Sequence, residues 1–382
     1  MFKYFNNHLS RGFISLYYGR TIQHIGYSLI GLFLPIYLMT NYGGKIEFVL
    51  CFYLISHIVY GLVIPIGAQF LNKIGLRRSL HISIFFFVSY YICLFLIDKN
   101  IILFSILALI FLTFGRMFFW LPYHTDLAKF TNLRDRGKSV SMLWATQTFI
   151  SVIMPIISGF LIVKFDYDIV FILAIIIYSC SIIPFLSLPR TKEKYSWKYW
   201  QTIKNFLAKK NRGLVLSNIA NGAENAVSII IWPIFIWQIL NGDFLAVGVL
   251  SSIIVLVSVI LQLTVGKYTD RFNKRKLIHW GSTLYASGWM LKVFVLSSFH
   301  IFIAGAYHGF TQILKDTPFD ALNYELLADQ GHYVDEYTAL KEMAVQLGKV
   351  LMLIFALVVV MNFGINWTFA LAALASLFIN LI

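Results

Sequence analysis

Two stretches set the reading of this chain: AQFLNKIGLRR at 68–78 and GKYTDRFNKRK at 266–276. Aligned without a gap, each opens on a small residue, Ala68 or Gly266, and places a short polar side chain, Asn72 or Asp270, four positions later. A base follows (Lys73, Arg271), then a turn residue (Gly75, Asn273), then a basic cluster: Arg77 and Arg78 in one copy, Lys274, Arg275 and Lys276 in the other. Each lies between two long apolar runs, a position where one basic turn is common. Two in register, at matching places in the two halves, mark an internal duplication.

Outside these turns the chain is apolar. Of 382 residues, 59% are hydrophobic, 17% aromatic and only 13% charged, where soluble domains carry about 25% charge. That composition excludes a soluble globule, a disordered chain, collagen, a coiled coil and a disulfide-stapled module. Cys51, Cys93 and Cys180 sit inside apolar runs as small hydrophobes, without ligand or disulfide spacing. Residues 1–12 lack a small-residue cleavage site and do not read as a removable signal peptide.

A helical crossing needs about 20 apolar residues to span a core about 30 Å thick. Suitable runs fall near 13–39, 48–70, 80–97, 101–122, 141–163 and 168–188, then near 214–240, 244–265, 277–297, 300–318, 338–361 and 364–382. The runs are continuous and lack the alternation of a β-barrel. The expected fold is therefore an all-α membrane protein of twelve helices in two pseudo-symmetric bundles, residues 1–188 and 214–382, joined by a linker at 189–213. Duplicated halves of this kind are a transporter architecture, with the site near the midplane between them.

Orientation follows from the bases. With the amino terminus inside, 22 of the 31 Lys and Arg fall in inner segments, and the outer loops hold only Lys45, Lys99 and Lys164. Both termini are expected in the cytoplasm, with the plasma (inner) membrane as the site of residence. The formal charge of +14 is thus an orientation signal that faces anionic headgroups; nucleic acid is not an expected partner. In the linker, Tyr195, Trp197, Trp200, Ile203, Phe206 and Leu207 recur at roughly helical spacing among lysines, which predicts an amphipathic helix on the inner surface.

At the repeated turn the chain resembles the major facilitator superfamily, whose signature after its second helix is Gly-x-x-x-Asp-Arg-x-Gly-Arg-Lys, often echoed after the eighth. Here the echo is the better copy, with Gly266, Asp270, Arg271, Lys274 and Arg275, while the first copy keeps Gly75 and Arg77 but has Asn72 in place of the family's aspartate. Further resemblance lies in Phe114-Gly115-Arg116 of the fourth helix and the turn Arg134-Asp135-Arg136-Gly137-Lys138. Pro155 and Gly159 fit a degraded form of the family's antiporter motif, or a proline kink beside small packing residues. The resemblance implies a gating role for Asn72, Gly75, Arg77, Asp270, Arg271 and Arg275, and a central cavity lined by the first and fourth helices.

Ions inside the bilayer cost about 2.5–3.5 kcal/mol each on translocon scales and face a cavity or a partner. Arg20 and His24, four apart on one helical face with Gln23 beside them, are expected to form a cationic cavity wall with Arg116. Glu224 and Lys349 fall at matching depth and are expected to pair as a proton-coupling device; Asn221 and Asn218 make that helix polar on one side. Lys315 and Asp316 are consecutive and point apart, so each is expected to seek another partner, with Asp316 in the coupling group. Lys292 and Lys341 lie near helix ends and are expected to snorkel. His57 and His308 titrate near neutral pH when unperturbed, or serve as neutral hydrogen-bonding groups.

The functional expectation is a secondary transporter, not an enzyme: it moves a small solute, with protons as the coupling ion, by alternating access, without cofactor or metal and as a monomer. No phosphate loop, nucleophile motif or metal-ligand spacing is present in the sequence. Arg20, Gln23, His24, Arg116, Asn221 and Trp232 are the candidate solute contacts. The cationic wall suits a solute with an anionic group; Tyr17, Trp120, Trp232 and Trp237 suit an amphipathic, drug-like solute exported by an antiporter; a polar midplane suits a sugar. Rivals from other classes are a non-transporting receptor and a lipid-modifying membrane enzyme.

Overall fold

The computed structural model describes residues 10–131, 136–191, 195–269, 274–328 and 334–382, and every regular element among them is a helix. The chain starts with α1 (Arg11–Gly31), where the Ser10 side chain caps the helix by accepting the Phe13 N–H at 3.1 Å. A bend of 41° separates α1 from α2 (Leu34–Asn41). The next helix, α3 (Ile46–Ile74), ends at Gly75, whose φ of +82° lets the backbone reverse at once into α4 (Leu76–Phe95). Next come α5 (Ile101–Phe130), α6 (Arg136–Cys180), which is broken at Asp166 with φ 63°, and the short α7 (Ile182–Leu186).

After a segment of extended chain, α8 (Tyr199–Phe206) leads to α9 (Arg212–Ala226). A π-turn at Val227–Ile231 and Pro233 then re-aim the chain into α10 (Trp232–Ile239). The remaining helices are α11 (Phe244–Thr269), α12 (Lys274–Val293), α13 (Ser298–Ala328), α14 (Val334–Phe363) and α15 (Trp367–Leu377). The expected amphipathic linker helix is shorter than its pattern: Tyr195 and Trp197 precede α8 and are buried, while Trp200 and Leu207 are exposed.

Among the described residues, seven helices are long and apolar enough to cross a bilayer, or eight with α1 and α2 taken as one bent span. The stretch Met142–Leu186, 45 residues, is about 65 Å long at the helical rise, enough for two passes. The basic residues of α12 and the Lys315–Asp316–Asp320 group of α13 lower the hydropathy of those two helices. This is a multi-pass membrane protein turned inside out relative to a soluble one. Ile102, Phe149, Met361 and Phe363 are exposed, while Glu224, Lys292, Lys315, Asp335 and Glu336 are buried.

The first half packs α1 on α6, α4 on α5 and α3 on α5; the second packs α9 on α14, α12 on α13 and α11 on α13. Two seams join them, α3 on α14 and α6 on α11. Backbone touches backbone at close crossings, the small-residue contact typical of membrane helices. A Cβ at Gly248 would overlap the Pro155 carbonyl, and one at Gly348 would overlap the Ile219 carbonyl. Gly348→Leu is expected to push α14 off α9 and to destabilise by about 1–3 kcal/mol or more. The expected result is a lowered unfolding temperature for the purified protein, with Ala145→Leu, at an exposed helical position, as the comparison for surface change.

Candidate functional site

The deepest ions gather on α9, α12 and α13. Lys315, fully buried, donates to Glu224 Oε1 at 2.8 Å, to Asn221 Oδ1 at 3.3 Å and to Asp316 Oδ1 at 2.7 Å. All three ammonium protons thus have acceptors. Glu224 Oε2 accepts the Tyr285 hydroxyl at 2.6 Å, and the Tyr285 ring lies 4.4 Å from the Lys315 ammonium. Earlier on α9, Asn218 donates to Asn323 at 2.9 Å.

This arrangement corrects three expectations. Glu224 pairs with Lys315 and not with Lys349: matched depth fixes height along the helices, not direction around their axes. Lys315 and Asp316 do pair, because the four-carbon lysine stem folds back across the divergence of adjacent side chains. Lys292 does not snorkel. It is 2% exposed, and its ammonium lies 4.1 Å from the ring centroids of both Trp232 and Trp289. Two indole faces take the place of water there, an interaction worth about 2 kcal/mol when desolvated. Trp232 therefore serves Lys292 within the second half. His308 is buried beside these rings, 4.2 Å from Tyr285 and 4.4 Å from Trp289 between centroids, and neither of its nitrogens has a hydrogen-bond partner.

The N-half cations are split between neighbours. Arg20 stands 5.4, 5.3 and 5.6 Å from the ring centroids of Phe119, Trp120 and Tyr123 on α5, with no carboxylate among the described residues within ion-pair distance. Arg116 donates to Ser56 Oγ at 2.9 Å and lies 3.5 Å from His57 Nδ1. His24 turns instead to α6, where Nε2 donates to the Gln147 carbonyl at 3.1 Å. Gln23 shares the buried row of Gly19 and Gly26, which packs on Phe185 and Tyr178. It belongs to a helix-packing face, and the structure does not bring it together with Arg20 and Arg116.

One face of α14 zips the halves together. Asp335 accepts from Thr125 at 2.8 Å, Glu342 lies 3.7 Å from His124, and Gln346 Oε1 is 2.7 Å from His57 Nδ1. Lys349 continues the same face one turn further on.

At the end of the bundle where α3 closes and α14 begins, the linker crosses this seam as a strap. The Asn72 side chain donates to the Tyr195 carbonyl and accepts the Tyr195 N–H, both at 2.8 Å. Gln69 donates to the Trp197 carbonyl at 3.2 Å. On the other side, Glu336 Oε1 accepts both the N–H and the hydroxyl of Ser196 at 2.7 Å, while Asp126 of the first half accepts from Thr191 at 2.7 Å. Gly75 shapes the turn after α3, and Arg77 donates to the Leu186 carbonyl within its own half. Arg275 is exposed at the start of α12. Asp270 and Arg271 lie outside the described residues, as do Arg134 and Asp135.

A family model described as the Major Facilitator Superfamily matches residues 16–213 and 214–382. The chain belongs to that superfamily of transporters. Two solved structures share its fold. One is the human organic anion transporter MFSD10 (TETRAN), at TM-score 0.71 and 12% identity over 97% of this chain and 99% of that one. The other is FucP, a Major Facilitator Superfamily transporter in the outward conformation, at TM-score 0.67 and 11% identity over 96% of each chain. No curated protein matches the chain in sequence.

The strap could not be read from the linker's composition, yet Asn72 was its signal. An aspartate accepts only, whereas a carboxamide both donates and accepts, as pairing with a backbone N–H and C=O requires. Asn72→Asp is expected to lose one bond and set a carboxylate against the Tyr195 carbonyl. At about 0.5–1.5 kcal/mol per bond, trypsin cleavage after the exposed Lys198 should accelerate about tenfold in Asn72→Asp and at least as much in Asn72→Ala. Unchanged cleavage in both would remove Asn72 as the anchor.

Proposed function

We propose that this protein is a secondary active transporter that carries a small solute by alternating access, coupled to protons. The fold has twelve crossings: the eight noted above, a second pass in α6 beyond Asp166, and α12, α13 and α15 with the turn that follows it. The bundles are residues 1–188 and 214–382, both termini face the cytoplasm of a plasma-membrane protein, and the unit is a monomer. The seams support the pseudo-symmetry. Exchange of halves carries the second crossing, α3, onto the eighth, α11, and carries the eleventh, α14, onto the fifth, the part of α6 before Asp166. The contacts α3 on α14 and α6 on α11 therefore map onto each other.

The observation that carries the coupling is the Glu224–Lys315–Asp316 cluster with Tyr285. A buried carboxylate stays ionised only while a cation holds it. A proton on Glu224 removes that hold, leaves Lys315 to Asp316, and loosens α9 from α13. Loading a proton from one side and releasing it on the other then requires the bundles to rock between the two. Asn72, Gly75, Arg77, Asp270, Arg271 and Arg275 act in this reading as the inner gate, with the strap closing it. Pro155 and Gly159 are accounted for by the close approach of α6 to α11, so export draws no particular support from them.

The test begins with a thermal-shift screen of metabolites, since a ligand of the folded state raises its unfolding temperature. Hits are then followed in vesicles with an imposed pH gradient. Wild type is expected to concentrate the solute. Glu224→Gln is expected to cut gradient-driven accumulation at least tenfold while exchange of internal for external solute continues. A variant that still concentrates solute and carries protons like wild type would sink the coupling.

A further inference from the structure

An apolar groove of about 450 Å³ lies on the flank of the second half, between α9, α14, α15 and the turn that follows α15. Its floor is made of small residues, Ala220, Ala223 and Ala375, and its walls include Leu216, Phe355 and Leu381. The groove is separate from the seam. Glu342 and Gln346 of α14 meet the other half, whereas Leu351, on the groove, lies about two and a half turns beyond Glu342 and so on the opposite face of the helix. Leu216, Phe355 and Leu381 are exposed, so the groove opens outward, toward lipid.

Its length matches one leaflet. From Leu381 back to Leu371 the groove follows the chain for about 15 Å at the helical rise, half of a core about 30 Å thick. Its mouth is where α9 starts, since a Cβ on Gly213 would sit 2.9 Å from the Leu381 carbonyl. Directly before Gly213 come Lys209, Lys210 and Arg212, all exposed, on a 3₁₀ turn that leads into the helix. Asn211 among them is turned inward, where its Nδ2 donates to the Asn205 carbonyl at 2.8 Å and holds the turn against the end of α8. The three basic side chains make no hydrogen bond or ion pair with any described residue. Unanswered positive charge therefore stands at one end of an apolar slot.

We propose that this groove binds one anionic phospholipid, with an acyl chain laid along α9, α14 and α15 and the phosphate held by Lys209, Lys210 and Arg212. Lipid tails are as apolar as leucine, so the slot alone gives no preference among lipids. Selection comes from the headgroup. Three bases meet a phosphodiester with charge-assisted hydrogen bonds, bidentate from the guanidinium, whereas a zwitterionic lipid sets its own cation against them. The position has a consequence for the linker, whose other end is held by Asn72 and Glu336. A bound headgroup fixes the turn at 209–212, and α8 between the two anchors rests on the membrane surface with Trp200 and Leu207, both exposed, in lipid. In the proposed orientation the lipid comes from the cytoplasmic leaflet, the anionic one; the site itself does not depend on that orientation or on transport.

The experiment uses the full-length protein in a neutral maltoside detergent at constant ionic strength, where no bilayer charge contributes. Phosphatidylglycerol, phosphatidylcholine with the same acyl chains, and glycerol phosphate with none are each titrated in, and the unfolding temperature is read. Phosphatidylglycerol is expected to raise it to a plateau, and the other two to leave it unchanged. The triple variant Lys209→Gln/Lys210→Gln/Arg212→Gln is expected to raise the half-saturating concentration at least about tenfold. Ala375→Phe, which fills the floor, is expected to do the same, with its unfolding temperature in detergent alone reporting its fold; the glutamine triple, all on the surface, keeps the test valid if it folds poorly. Arg11→Gln/Lys73→Gln/Arg78→Gln removes as many exposed bases from the first half and is expected to bind like wild type. The proposal falls if phosphatidylglycerol gives no shift, if phosphatidylcholine or glycerol phosphate serves as well, or if either groove variant, once folded, binds like wild type. It falls too if the first-half triple loses as much, or if the protein runs as a dimer that Ala375→Phe breaks, which would assign the groove to a second copy.

Discussion

A lysine ammonium stripped of water carries three protons, and the bilayer interior supplies no acceptor for any of them. Lys315 answers this with Glu224, Asn221 and Asp316, drawn from α9 and from its own helix. That requirement fixes much else in the second half. It holds α9 and α13 at one spacing and pins the rotation of α9 through Glu224. It also places Tyr285 of α12 on the carboxylate's second oxygen. The Val227–Ile231 π-turn follows immediately, where the helix must re-aim to bring Trp232 over Lys292. Replacing the cluster by well-packed hydrophobes would often be neutral or better for stability, so its retention is more naturally tied to a change of state.

The architecture was legible because lipid imposes it. Length, apolar runs and basic loops follow from bilayer thickness and charge, which act along the chain one segment at a time. The repeated turn at 68–78 and 266–276 pointed to two halves, and the family model matches the chain in two parts, residues 16–213 and 214–382. Partnerships among ions were less legible, since depth along a helix can be counted from sequence while direction around its axis depends on neighbours. Glu224 was correctly singled out as a buried carboxylate in a polar helix, but its partner was misassigned for that reason. Lys292 was missed because its solvent is two indole rings, one of them from a distant helix. Gln23 was placed in the cavity by adjacency to Arg20, whereas the Gly19–Gly26 row shows it turned toward α6.

The seam along α14 and the strap over it tie the halves together by different means. The seam uses side chains in acid–base or amide–imidazole rungs, which bring the halves into register. The strap uses the linker's own backbone, held from one half by Asn72 and from the other by Glu336. Because the linker is covalently part of both bundles, this contact needs no diffusing partner, only the local folding of residues that are always nearby.

The Asn72 contact has an electrical consequence. A carboxamide joined to a peptide group involves no net charge on either side, so ambient salt cannot screen it. Moving it through the transmembrane field also does no work. A gate that relied there on a carboxylate and a guanidinium would respond to both. The Asn72 contact is blind to voltage, and any response of this protein to membrane potential must enter through its buried ions.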